Sequence, residues 1–198
     1  MKKKIIICGV GNQGVVTFSK ILLSYLSKAK ISASSYIKSG LGYLGGSVSV
    51  FISIGDEFPF FSEGEVDYLI GFELIECGRF LNFLKNTSIA IVYLKLIKTY
   101  KMKIKKEREI RKDEIISLLE KRVKKLITVT SEELKENKIP ERLVNSYLLG
   151  ILASELSLDL SLMINELKNH VKFHKDLNKK ALLLGYKKIQ KGVDLYEN

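Results

Sequence analysis

The sequence predicts an α/β domain with a Rossmann-like start and a helical C-terminal third, on three observations. Apolar runs of strand length alternate with amphipathic stretches of helical spacing; a glycine-rich turn joins the first run to the first such stretch; and the last third of the chain follows a helical pattern. One domain over residues 1–198 is expected, because 198 residues with 46% hydrophobic content and two prolines can enclose a sizeable core. The sheet is expected to be mostly parallel or mixed.

Each element has a local cause. Ile5-Ile6-Ile7-Cys8 reads as a buried strand, and Gly9-Val10-Gly11-Asn12-Gln13-Gly14 as the turn after it. Phe18, Ile21, Leu22, Tyr25 and Leu26 then recur at helical spacing. This is a Rossmann-like start, in which the new helix offers free N–H groups and a positive dipole end to an anion. A second strand is expected over 31–37, then a loop with four glycines that includes Gly45, Gly46 and Ser47, then a strand through Val48, Val50, Ile52 and Ile54. Gly55-Asp56-Glu57 should turn the chain, with a short hairpin through Phe58-Pro59-Phe60. A strand over 66–72, a helix over 73–84 and a strand over 88–93 form a further β–α–β passage. A helix around Ile115 to Val123 and a short strand over 126–129 follow, and Thr130 is placed to cap the next helix. Pro140 suits a first helical turn, Asp159 or Ser161 should start a short helix, and 176–191 should form the last one.

Several function classes are excluded by composition. No apolar run approaches the roughly 20 residues of a membrane span, and the N-terminal lysines precede too short an apolar run for a signal peptide, so a cytoplasmic protein with no membrane association is expected. Two cysteines cannot by themselves ligate an iron–sulfur cluster or a structural zinc. The net charge of +11 concentrates between Lys95 and Lys125, which hold 13 Lys/Arg against 5 Asp/Glu. Tyr100 is the only aromatic residue there, so a solvated helix face is expected and no nucleic-acid partner.

Candidate chemistry is sparse. The acidic residue that grips a ribose about 20 positions after a dinucleotide-binding turn is missing: the first acidic residue is Asp56, and the second strand ends at Lys38. NAD is therefore disfavoured. His170 and His174 are four apart, with Glu166 one turn earlier, which would put all three on one helix face; without a third histidine or a nearby cysteine they read as surface residues. No Gly-x-Ser-x-Gly elbow occurs, and the Ser47 hydroxyl is better suited to an anion or ligand contact. Among the acidic residues Glu63, Glu65, Asp67, Glu73 and Glu76, Glu73 stands at a strand's carboxyl end, the edge at which open α/β sheets bind ligands, and is the candidate site residue.

In order along nearly the whole chain, Gly9 to Gly14, Gly45-Gly46-Ser47-Val48, Glu63-Gly64-Glu65-Val66-Asp67, Glu73 with Glu76, Asn145 before Leu148-Leu149-Gly150, and Asn178, Ala181 and Gly185-Tyr186 resemble the gamma-type domain of 2-oxoacid:ferredoxin oxidoreductases, in particular the beta-type subunit of the indolepyruvate enzymes. The resemblance implies a three-layer α/β/α domain that is a subunit of a hetero-oligomer, inactive alone, with no catalytic residue or metal of its own. Thiamine diphosphate and 4Fe-4S clusters would sit in a larger alpha-type subunit. Coenzyme A would be co-substrate and ferredoxin the acceptor in oxidative decarboxylation of an arylpyruvate. Gly9, Gly11, Asn12, Gln13, Gly14, Gly45, Gly46, Ser47 and Glu73 would line the site. The sequence departs from the family at Asn12, where a glycine is usual, and at Ser39, Tyr43 and Leu44, where the family carries His, Gln and Arg. A leucine cannot make the paired hydrogen bonds of that guanidinium. A non-catalytic interaction subunit and a stand-alone nucleotide-binding reductase are the alternatives.

Overall fold

The structure, a computed structural model, describes residues 2–40, 46–55, 58–98, 102, 104 and 108–193, with 191–193 as backbone. Six strands form one mixed sheet: β1 (Lys3–Val10), β2 (Ala33–Ser39), β3 (Ser47–Ile54), β4 (Val66–Gly71), β5 (Leu84–Tyr93) and β6 (Lys125–Val129), in the order β2-β3-β1-β4-β5-β6. β1, β4, β5 and β6 are parallel, while β3 runs antiparallel to both β1 and β2. Seven α-helices surround the sheet among the described residues: α1 (Val15–Lys28), α2 (Leu74–Gly78), α3 (Lys112–Arg122), α4 (Ser131–Glu136), α5 (Val144–Glu155), α6 (Leu160–His170) and α7 (Lys175–Val193).

The strand residues alternate between two cores, which is why a three-layer fold results. Ile5, Ile7, Val50, Ile52, Ile70 and Ile91 face α1, α5, α6 and α7; Ile6, Cys8, Leu69, Ala90 and Val92 face α2 and α3. The helical C-terminal third is as expected. Within it α5 is buried on nearly all sides and lies along α7. The two backbones touch where glycines permit it: a Cβ at Gly150 would lie 2.0 Å from the Leu182 carbonyl oxygen, and one at Gly185 would lie 2.0 Å from that of Tyr147. Asn178 fixes the start of α7, accepting from the Ser146 hydroxyl at 2.6 Å and donating to the Phe173 and His174 carbonyls.

Three expectations are corrected. The second strand forms as expected, shifted to Ala33–Ser39, and is the edge of a β2–β3 hairpin; β3 intervenes, and Lys38 stands two strand spacings, roughly 10 Å, from β1. The helix expected over 73–84 is only α2 followed by a 3-10 turn, Leu81–Phe83; Gly78 disfavours continuation, and β5 begins at Leu84 rather than Ser88. Ser88 bridges the resulting ladder irregularity, donating to the Val66 carbonyl at 2.6 Å and accepting from the Lys85 amide. His170 ends α6, and His174 lies beyond it with φ 53°, so the two histidines do not share a helix face. Phe58-Pro59-Phe60 has no strand pairing, and Asp56 and Glu57 of the expected turn lie outside the described residues. Thr130 and Asp159 do cap α4 and α6, accepting from the Glu133 and Leu162 amides.

The α5–α7 contact leaves no room for a methyl group. Gly150→Ala should cost about 1–3 kcal/mol or more through overpacking, read as a lower denaturant midpoint with the helical circular dichroism of the native baseline retained.

Candidate functional site

The parallel strands end together at one edge of the sheet, and the glycine turn crosses that edge between β1 and α1. Gly14 caps α1 in the left-handed region, φ 88°, and contributes no side-chain acceptor, so the first turn of α1 has no side-chain cap from that residue. Asn12 is also left-handed, with φ 70°. Asparagine is among the few non-glycine residues that tolerate this conformation, so the departure from the family's glycine preserves the turn and adds an exposed amide side chain.

Gln13 and the glycines do structural work. The Gln13 carboxamide accepts from the Val10 amide at 2.7 Å and donates to the Phe72 carbonyl at 3.1 Å, joining β1 to the chain leaving β4. A Cβ at Gly9 would lie 2.7 Å from Phe72 Cβ and 2.8 Å from Gln13 Oε1, and one at Gly14 would lie 2.8 Å from Asn145 Nδ2 on α5. Gly11 donates to the Gly46 carbonyl at 3.0 Å, which ties the turn to the start of β3. The expected set Gly9, Gly11, Asn12, Gln13, Gly14, Gly46 and Ser47 is thus gathered at one edge. Gly45, with Tyr43 and Leu44, lies outside the described residues.

Glu73 and Ser47 are already engaged. Glu73 is buried at the N-terminus of α2, where its carboxylate accepts from the Glu76 amide at 2.9 Å and from the Ile97 amide at 2.7 Å. Burial raises its pKa, opposed by those backbone donors. It holds the segment after β5 against α2, which is a scaffold role. Ser47 donates to Glu76 at 2.5 Å, and Arg79 Nε approaches the other Glu76 oxygen at 3.2 Å. This chain of contacts positions the beginning of β3.

Two clefts flank Asn12. One of about 180 Å³ runs along the glycine turn, the first turn of α1 and Val48. The other, about 270 Å³, lies between Asn12, Gln13, Tyr93, Lys95, Glu141, Arg142 and Val144. Lys95 pairs with Glu141. That ammonium and the Tyr93 hydroxyl hold the Glu141 carboxyl below its ordinary range, while burial and Glu141 push the Tyr93 phenol well up. Arg142 Nη2 lies 3.1 Å from His174 Nε2. Sequence reasoning missed Tyr93, Lys95, Glu141 and Arg142, and singled out Asn145 only as part of the family resemblance. Tyr93 and Lys95 had a signal, being at and just past the end of a parallel strand; Glu141, Arg142 and Asn145 reach the edge only through the tertiary fold.

A left-handed turn feeding a helix at the carboxyl edge of a mixed sheet, with one polar and one mostly apolar cleft beside it, stands where open α/β domains bind ligands; among the described residues no group of three or more His/Cys/Asp/Glu could hold a metal. Residues 4–188 match the pyruvate ferredoxin/flavodoxin oxidoreductase family, and the chain belongs to it. It is 30% identical over 190 residues to the indolepyruvate oxidoreductase subunit IorB of Archaeoglobus fulgidus, covering 94% of each chain. In fold it resembles the gamma subunit of a keto/oxoacid ferredoxin oxidoreductase from Geobacter sulfurreducens, with TM-score 0.65, 17% identity and 96% and 99% of the two chains covered. It also resembles the 2-oxoglutarate:ferredoxin oxidoreductase of Magnetococcus marinus, with TM-score 0.71 and 13% identity, over 96% of this chain and 31% of that one. No helix among the described residues is long and apolar enough to cross a membrane.

Glu73→Gln keeps one acceptor and turns an N–H toward a backbone donor, so a loss of about 1–3 kcal/mol is expected in denaturant unfolding. Because the folded-state pKa of Glu73 is raised, its titration favours the native state most below the unfolded carboxyl range, and that contribution declines as pH rises through the folded pKa. The stability gap between wild type and variant should therefore narrow over that interval. A gap that widened instead would contradict the assigned environment.

Proposed function

We propose that this chain is the non-cluster subunit of a 2-oxoacid:ferredoxin oxidoreductase acting on arylpyruvates such as indolepyruvate. The observation that carries the reading is the 30% identity to an indolepyruvate oxidoreductase subunit over 94% of both chains. A larger alpha-type subunit would hold thiamine diphosphate and the 4Fe-4S clusters, which supply carbanion stabilisation and electron transfer when bound. In the overall reaction the oxoacid loses carbon dioxide, the acyl group passes to the coenzyme A thiol, and the electron pair leaves to ferredoxin.

The part of this chain is to bind, orient and enclose. The uncapped N–H groups of α1, the Asn12 amide and the Arg142 cation beside the larger cleft suit the carboxylate of an oxoacid or the phosphates of coenzyme A, whereas Lys95 is already paired with Glu141. They also supply a basic group near the edge whose loop has leucine in place of the family's arginine. Two features argue against a stand-alone nucleotide-dependent reductase: the missing ribose-gripping acid, and the hairpin that puts β3 between β1 and the strand from which such an acid would come. The retained turn conformation at Asn12 argues against a purely non-catalytic remnant.

The isolated chain should be colourless and should not turn over arylpyruvates with NAD or NADP. Co-purified with the large subunit, it should support coenzyme A-dependent reduction of ferredoxin by indolepyruvate, followed optically; steady turnover by the chain alone with a nicotinamide would overturn the reading. Asn12→Gly should leave stability within about 1 kcal/mol, since either residue accepts the left-handed turn. In the assembled enzyme it should raise the Michaelis constant for coenzyme A or the oxoacid with little change in kcat. An unchanged Michaelis constant would place the ligand elsewhere.

A further inference from the structure

Away from the glycine turn, the sheet face shared with α2 and α3 is only partly covered among the described residues. On that face Tyr36 of β2, Phe51 of β3 and Ile6 of β1 form one cross-strand row. α2 and α3 pack over β1, β4, β5 and β6, whereas among the described residues Phe51 is met by the rings of Tyr36, Phe61, Phe80 and Phe83 at centroid distances of 5.6 to 6.4 Å. Phe60 completes the cluster, 5.7 Å from Tyr36. Its outer members are open: Phe60 is 70% exposed and Tyr36 45%, and Phe58 in the same segment is 68% exposed. Single exposed apolar residues need no explanation, but a contiguous aromatic group on a sheet face does.

We propose that this aromatic face docks the chain on its large subunit; the inference rests on the subunit reading given above. The rings already pack on one another, so binding would immobilise little that is free in the isolated chain. Aromatic residues are the side chains that dominate binding energy at protein interfaces. The rim is polar and internally neutralised: Lys4 pairs with Glu65 at 2.7 Å while its ammonium lies 5.6 Å from the Phe61 ring centre, and Lys85 pairs with Asp67 at 2.7 Å. That arrangement, apolar centre and paired polar rim, is the anatomy of a protein interface. A second copy of this chain is the weaker occupant, because each copy brings a net charge of +11 and the two would repel. In the Magnetococcus enzyme the same fold takes up 31% of a longer chain. On the subunit reading, a surface capable of stable association stands in for that linkage.

The test compares wild type with Phe60→Asp and Tyr36→Ser, each mixed with the tagged large subunit, with Phe173→Asp as control, since Phe173 is 77% exposed but lies between α6 and α7. Wild type and Phe173→Asp should bind alike, and Phe60→Asp should weaken binding by about 30-fold or more. Thermal unfolding of the isolated Phe60 variant should match wild type, its ring being exposed; should that variant fail to fold, Tyr36→Ser reads the same surface, with a smaller loss. Undiminished binding by folded variants overturns the inference while leaving the subunit reading intact. Failure of wild type to bind the large subunit overturns that reading and this one together. A wild-type dimer in light scattering that Phe60→Asp converts to monomer, with large-subunit binding unchanged, assigns the face to a second copy and overturns the proposal.

Discussion

Both faces of β1 are buried, and the rest of the molecule is organised by that constraint. Ile5 and Ile7 enter one core, Ile6 and Cys8 the other, and all four are wholly inaccessible. A strand apolar on both sides can only sit inside a sheet covered by helices on both sides. Its neighbours β3 and β4 complete that sandwich, and the turn that follows it must leave at the sheet's edge. The Gln13 amide then serves the last free amide of β1 and the Phe72 carbonyl beyond β4 at the point where the ladder ends. The edge that carries the glycine turn is therefore a by-product of how the central strand is buried.

Periodicity carried most of this fold. The alternation of Val48, Val50, Ile52 and Ile54, the helical spacing after Gly14 and the caps at Thr130 and Asp159 are local signals, and local signals can be read along one chain. Strand direction is not local. Ile31 to Ile37 has the same pattern whether it pairs with β1 in parallel or with β3 as a hairpin, and only the loop length from Ser39 to Ser47 hints at the hairpin. The expected helix after Glu73 failed for a related reason: the segment is helical in composition, but the chain must return in time for Leu84 to pair with Val66. At the site, the glycine turn was legible because glycine spacing reports backbone geometry. The role of Glu73 was not, because a carboxylate that caps a helix and one that meets a ligand look alike until their hydrogen-bond partners are known.

Charge behaves similarly. The lysine-rich stretch between β5 and β6 stands out in composition, yet in the described residues several of its cations are paired with acids of the same stretch: Lys98 with Glu109, Arg108 with Glu114, Arg111 with Asp113. These pairs are exposed and each contributes little to stability. Their effect is to lower the effective positive field of that segment, which agrees with the absence of any aromatic interleaving suited to nucleic acid.

The left-handed backbone at Asn12 also narrows what this position can become. Glycine, asparagine and aspartate are the residues that occupy such a conformation at small cost. They differ chiefly in charge and bulk: an open space, a neutral amide, or a carboxylate set against the helix terminus where an anion would otherwise sit. Single-base changes in an asparagine codon reach aspartate but not glycine. Under the function proposed above, this geometry makes one residue a three-position selector for ligand charge, and the nearest mutational step from the present setting is the one that repels anions.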